Sequence, residues 1–80
     1  MRILLVEDTV QIAENITQYM KLEDIDIDVA YDGEQGRELS QTYYYDIIIL
    51  DWMLPKLSGV DLCVRIRKSS QVPIIMLTAR

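Results

Sequence analysis

Continuous apolar runs alternate with periodic amphipathic segments along this chain. Arg2 to Val6, RILLV, is apolar without alternation after its first residue, the pattern of a strand covered on both faces in a parallel sheet. From Val10 to about Leu22, the apolar residues Ile12, Ile16 and Tyr19–Met20 recur at helical spacing, and Gln11, Glu14, Asn15 and Gln18 fall on the other side. Asp8 or Thr9 can cap that helix. Asp24 to Tyr31, DIDIDVAY, alternates acid and aliphatic and predicts a half-exposed strand at a sheet edge. Asp32 can then cap a helix over Gly33 to Gln41, buried through Gly36 and Leu39 and weakened by its glycines. Ile47 to Leu50 reads as a third, central strand. Pro55 keeps the following segment out of helix. Ser58 can cap a helix over Gly59 to Lys68, with Val60, Cys63, Val64 and Ile66–Arg67 in its periodic run. Ile74 to Leu77 is a fourth strand behind Pro73.

The order β-α-β-α-β-α-β predicts right-handed crossovers and a doubly wound α/β fold with a parallel sheet. With 80 residues, half of them hydrophobic, 1–80 is at most one domain, and one of modest stability. The formal net charge of −5 repels a nucleic-acid backbone. The one cysteine, Cys63, cannot form an internal disulfide and falls in an apolar helical pattern, where it reads as a small packed hydrophobe. The first apolar run ends at once in Glu7-Asp8, unlike a signal peptide, and no run approaches the roughly 20 residues of a membrane span. A cytoplasmic protein without membrane attachment is the expectation.

Two strands end in acid: ILLVED places Glu7-Asp8 after the first, and DIIILD places Asp51 after the third. In open parallel sheets, ligands bind outside the carboxyl ends of the strands. If those two strands are neighbours, three carboxylates converge. Hard oxygen donors in a small polar cleft suit Mg²⁺, which commonly takes one or two carboxylates plus a phosphoryl oxygen. The same residues could equally cap helices and finish strands. Thr78, at the end of the fourth strand, adds a hydroxyl on that rim able to donate to a phosphoryl oxygen. There is no histidine, no glycine-rich phosphate loop and no cysteine cluster, which removes histidine triads, common nucleotide signatures and the usual zinc sites.

ILLVED at 3–8, DIIILDWMLPKLSG at 46–59 and VPIIMLTAR at 72–80, in that order, closely resemble the receiver domain of bacterial two-component response regulators. MLP and LTAR look most like the subfamily that joins the receiver to a winged-helix DNA-binding domain. The resemblance implies a flavodoxin-like fold of strand order 2-1-3-4-5, ending here after the fourth strand. It implies that Asp51 is the phosphoacceptor and that Asp8 is the principal Mg²⁺ ligand. Glu7 stands beside Asp8, in place of the commoner Asp-Asp pair. The backbone carbonyl of Met53 would be a further metal ligand. Thr78 would be the switch hydroxyl and the Ala79 amide a phosphoryl donor. Asp51 would attack a phosphohistidine on a sensor kinase, and the domain would be a phosphoacceptor with slow self-dephosphorylation rather than an enzyme. DNA would be reached only through an output domain outside this chain.

The family's lysine at the end of strand five has no counterpart here, since Lys21, Lys56 and Lys68 lie in other elements. A pseudo-receiver acting only through protein contacts is therefore the alternative. A haloacid-dehalogenase-type hydrolase would want a second Asp two residues after the nucleophile, where this chain has Met53. Strand four would be an uncharged sheet edge, which predicts a homodimer or domain-swapped dimer.

Overall fold

All four strands run parallel in one sheet, and the apolar continuity of the first and third explains their interior places. A computed structural model describes residues 1–77. The elements are β1 (Arg2–Val6), α1 (Val10–Leu22), β2 (Asp26–Ala30), α2 (Gly33–Thr42), β3 (Ile47–Asp51), α3 (Gly59–Arg67) and β4 (Ile74–Leu77). The sheet order is β2-β1-β3-β4, as expected, with the alternating β2 at one edge and β4 at the other. Val6 stands opposite Leu50 across the central pair, and Asp51 opposite Leu77.

One face carries the main core. Leu4, Val6, Ala30, Ile48 and Leu50 pack there with Leu62 and Ile66 of α3, and Leu39, Ile74 and Met76 complete the cluster. Gly36 lets α2 lie on the sheet, because a Cβ there would press on both methyls of Val6. The opposite face buries Ile3 and Leu5, yet leaves Ile75 50% exposed. α1 reaches the sheet through its single buried residue, Ala13.

Two helical phases differ from the sequence pattern. In α1 the inward stripe is Ala13, Ile16, Thr17 and Met20, while Ile12 and Tyr19 are exposed. A small side chain at 13 permits close approach, and that contact sets the helix rotation over the larger Ile12. In α3 the buried stripe is Gly59, Leu62 and Ile66, and Val60 and Val64 face out. Gly59 fixes this phase. A Cβ there would collide with the Asp51 carbonyl oxygen, so the bare glycine face must meet β3 and Leu62 follows it inward.

The second strand starts two residues later than its alternation suggests. Asp24 takes a left-handed φ of 58° in the turn after α1, and the amides of Glu23, Asp24 and Ile25 donate to carbonyls of that helix's last turn. Thr9 occupies the N-cap of α1 without a side-chain hydrogen bond, whereas Asp32 and Ser58 cap α2 and α3 through the Gln35 and Asp61 amides. Tyr45 is buried and donates to Asp28 Oδ2 at 2.7 Å, and Arg2 joins the same carboxylate at 2.9 Å. Burial, first, and the Asp28 carboxylate push the Tyr45 phenol well above its ordinary range.

The α3 phase has a direct check. Leu62→Ala should destabilise the fold by about 2–5 kcal/mol. Val64→Ala should stay within about 0.5 kcal/mol, as an outward-facing change does. Urea unfolding of the two variants reads the difference; equal losses would place Val64 in the core instead.

Candidate functional site

The β1–β3 pairing delivers the acids. Because Val6 and Leu50 are paired, the next residues, Glu7 and Asp51, emerge side by side at the carboxyl end of the sheet. Their carboxylate oxygens and one of Asp8 lie within 4.8 Å of one another. Glu7 and Asp51 are each only 3% exposed, and Asp8 faces solvent. Two unit charges at that separation repel by about 3 kcal/mol at an effective dielectric of 20. The Glu7 carboxyl is raised above its ordinary value chiefly by burial, with the Asp51 and Asp8 carboxylates adding to it and the Thr9 amide opposing it. That amide donates to Glu7 Oε2 at 3.0 Å, so Glu7 is held by the chain leaving β1.

Loop geometry around Asp51 is fixed from two sides. The Gly59 amide donates to the Trp52 carbonyl at 2.9 Å, and Trp52 donates to Leu77 at 3.2 Å. On the other side Gly33 donates to the Pro55 carbonyl at 3.2 Å, with no room for a Cβ against Leu57. Lys56 takes a left-handed φ of 70° and sets its Nζ 3.6 Å from Asp32 Oδ2. Asp32 is held below the ordinary carboxylate value, first by the Gln35 amide and then by Lys56. The stretch 52–58 is therefore clasped by α2 as well as by α3.

Of the residues singled out by sequence, Glu7, Asp8 and Asp51 converge. Met53 lies two residues beyond, exposed, with its amide 3.4 Å from Asp51 Oδ1. Thr78 and Ala79 lie outside the described residues. The Asp32–Lys56 clasp and the close seat of Gly33 were not anticipated. Their only trace in sequence is a glycine placed immediately after a capping aspartate, ahead of a Pro-Lys loop.

The site fits a hard divalent cation. All its donors are carboxylate oxygens, two are held in the fold and one faces water, which suits an ion that keeps part of its hydration shell.

Comparison with known proteins places the chain among signalling domains. Residues 3–80 match the family described as response regulator receiver domain. Response regulator ArlR of Staphylococcus aureus is 39% identical over 79 residues, covering 99% of this chain and 36% of that protein. The receiver domain of the Francisella response regulator 1452 superposes with a TM-score of 0.94 at 37% identity, covering 98% of this chain and 65% of that one. TrrA of Thermotoga maritima, a response regulator protein solved in complex with Mg(2+)-BeF, gives 0.91 at 36% identity, covering 99% and 70%. The chain thus spans about a third of the length of the curated relative.

The raised Glu7 carboxyl carries a sign. Its proton is held more tightly in the folded state, so its contribution favours folding at low pH and is lost as pH rises from about 4.5 through the raised value. In metal-free buffer at neutral pH, Glu7→Gln should therefore raise the urea midpoint. Adding millimolar Mg²⁺ should raise the midpoint of the unsubstituted chain more than that of the variant. A variant less stable than its parent without metal would contradict the account of Glu7.

Proposed function

We infer that this chain, which belongs to the response regulator receiver domain family, accepts a phosphoryl group on Asp51 from the phosphohistidine of a sensor kinase. The observation that carries the reading is the convergence of Glu7, Asp8 and Asp51 at the ends of two adjacent parallel strands. Asp51 is the nucleophile: one carboxylate oxygen attacks phosphorus, the bond to the histidine nitrogen breaks, and an aspartyl phosphate remains. Asp8 and Asp51 would hold Mg²⁺, with Glu7 beside them and the Met53 carbonyl as a further ligand. When bound, the ion supplies neutralisation of the charge on the phosphoryl oxygens.

The chain's own contribution is position. β3 ends on Asp51, the Gly59 seat brings α3 against it, and the α2 clasp shapes the loop through which a phosphoryl donor enters. The hydroxyl of Thr78 and the amide of Ala79 are proposed to meet the phosphoryl group. No helix among the described residues is long and apolar enough to cross a membrane. A cytoplasmic response regulator, acting on DNA through a winged-helix output domain, is the whole-protein reading. The likeness to a longer response regulator supports it.

A second reading, a dimerisation module, rests on the sheet edge. β4 carries IIML, with Ile75 half exposed and no charge to discourage pairing. Pairing edge to edge would cover it.

Two measurements follow. Incubation with Mg²⁺ and a small-molecule phosphodonor should add one phosphoryl mass to the longer parent regulator and none to its Asp51→Ala variant, while these 80 residues alone should take it up poorly. An undiminished adduct on that variant would move the acceptor elsewhere. In sedimentation, the chain should shift from monomer to dimer with rising concentration, and Ile75→Lys should hold it monomeric. A monomer that persists at high concentration would remove the edge-pairing reading.

A further inference from the structure

A second polar site lies at the opposite end of the sheet. A cleft of about 120 Å³ opens between the C-terminal ends of α2 and α3 and the tyrosines that lead into β3. Its walls include Arg37, Arg65, Tyr43, Tyr44, Ser69 and Ser70. Two guanidinium groups around one small cleft stand out in a chain of net charge −5.

Cations near helix C-termini are ordinarily explained by the helix dipole and by the unpaired last carbonyls. That explanation accounts for Arg67. Its Nη1 donates to the carbonyls of Val72 at 2.6 Å and Ser70 at 3.3 Å, tying down the chain after α3. Arg65 lies in the same last turn of α3, but its guanidinium makes no hydrogen bond or ion pair among the described residues. Arg37 is partly engaged: it donates to Gln41 Oε1 at 3.3 Å, and its Nε lies 3.5 Å from Glu34 Oε1. That Nε is nonetheless buried with no hydrogen-bond acceptor among the described residues. The cleft therefore presents one guanidinium without a side-chain partner and a second that is only partly engaged, which suits an oxyanion.

The aromatic wall adds a second requirement. Arg2 lies 5.0 Å from the centroid of Tyr43, so that ring is already engaged by a cation. Tyr44 is 80% exposed, which leaves its ring available to a planar partner. About 10–15 Å³ of such space holds one water, so the cleft takes roughly ten heavy atoms. We propose that this cleft binds a small aromatic phosphomonoester, its phosphoryl oxygens meeting Arg65 and Arg37 and its ring lying against Tyr44. The site is independent of the carboxylate cluster and of what Asp51 accepts.

Phenyl phosphate, which is of that size, is the probe, titrated into the chain in Mg²⁺-free buffer while amide shifts are followed. Saturable shifts at Gln41, Ser69 and Ser70 are expected, with Glu7 and Asp51 unmoved. Inorganic phosphate alone and phenol alone should each bind distinctly more weakly. Arg65→Gln should weaken binding about tenfold, the loss expected of one charge-assisted hydrogen bond. Lys68→Gln, with the same charge change outside the cleft, should alter it less than about twofold. No saturable shift at millimolar probe would overturn the proposal. So would equal weakening by the two variants, or phosphate or phenol binding as well as the ester. Near-ultraviolet dichroism of Trp52 checks that both variants keep the fold.

Discussion

The pairing of β1 with β3 is the constraint on which everything else here depends. A parallel ladder fixes which residues leave the sheet together, and with Val6 opposite Leu50 the departing residues are Glu7 and Asp51. A slip of one residue would turn Leu4, Val6, Ile48 and Leu50 away from the core they share with Leu62 and Ile66. Register is therefore held by the whole apolar cluster. The separation of the carboxylates inherits that rigidity.

Such an arrangement works against its own stability. Carboxylates brought together at a strand end repel, and burial adds to the cost for Glu7. Compensation lies around the cluster rather than within it. The Thr9 amide meets Glu7, Gly59 closes α3 onto β3, and Lys56 and Gly33 bind the loop to α2. Lys56, on the loop beside the cluster, is turned to Asp32. The attraction of such a cleft for a divalent ion follows from the same electrostatics.

Element types and order could be read from the chain because each strand is either unbroken apolar or alternating, whereas the strand order came only with the family resemblance. The acids at 7, 8 and 51 were legible for the same reason, since an aspartate that follows an apolar run must stand at the rim. Helix rotation was not legible. In α1 the pattern favours Ile12, but Ala13 makes the contact, because the distance of closest approach decides which face turns inward. In α3 the valines at 60 and 64 look like core, and only the backbone of Gly59 against Asp51 reveals why Leu62 takes that place. Tyr45 was indistinguishable from Tyr43 and Tyr44, since its burial depends on Asp28 arriving from a strand 17 residues away.

The two faces of the sheet differ in a way that follows from these contacts. Among the described residues, α2 and α3 jointly seal the face bearing Leu4, Val6 and Leu50, whereas α1 stands on the other and enters through an alanine. Ile3 and Leu5 are buried on this face, α1 packs chiefly toward β2, and Ile75 of β4 remains half exposed. Apolar exposure thus accumulates at the β4 side of this face. The acid cluster lies at the carboxyl end of the same central strands. Any partner that covered the β4 side would also come to border the rim that carries Asp51, because Asp51 is itself paired with Leu77 of β4.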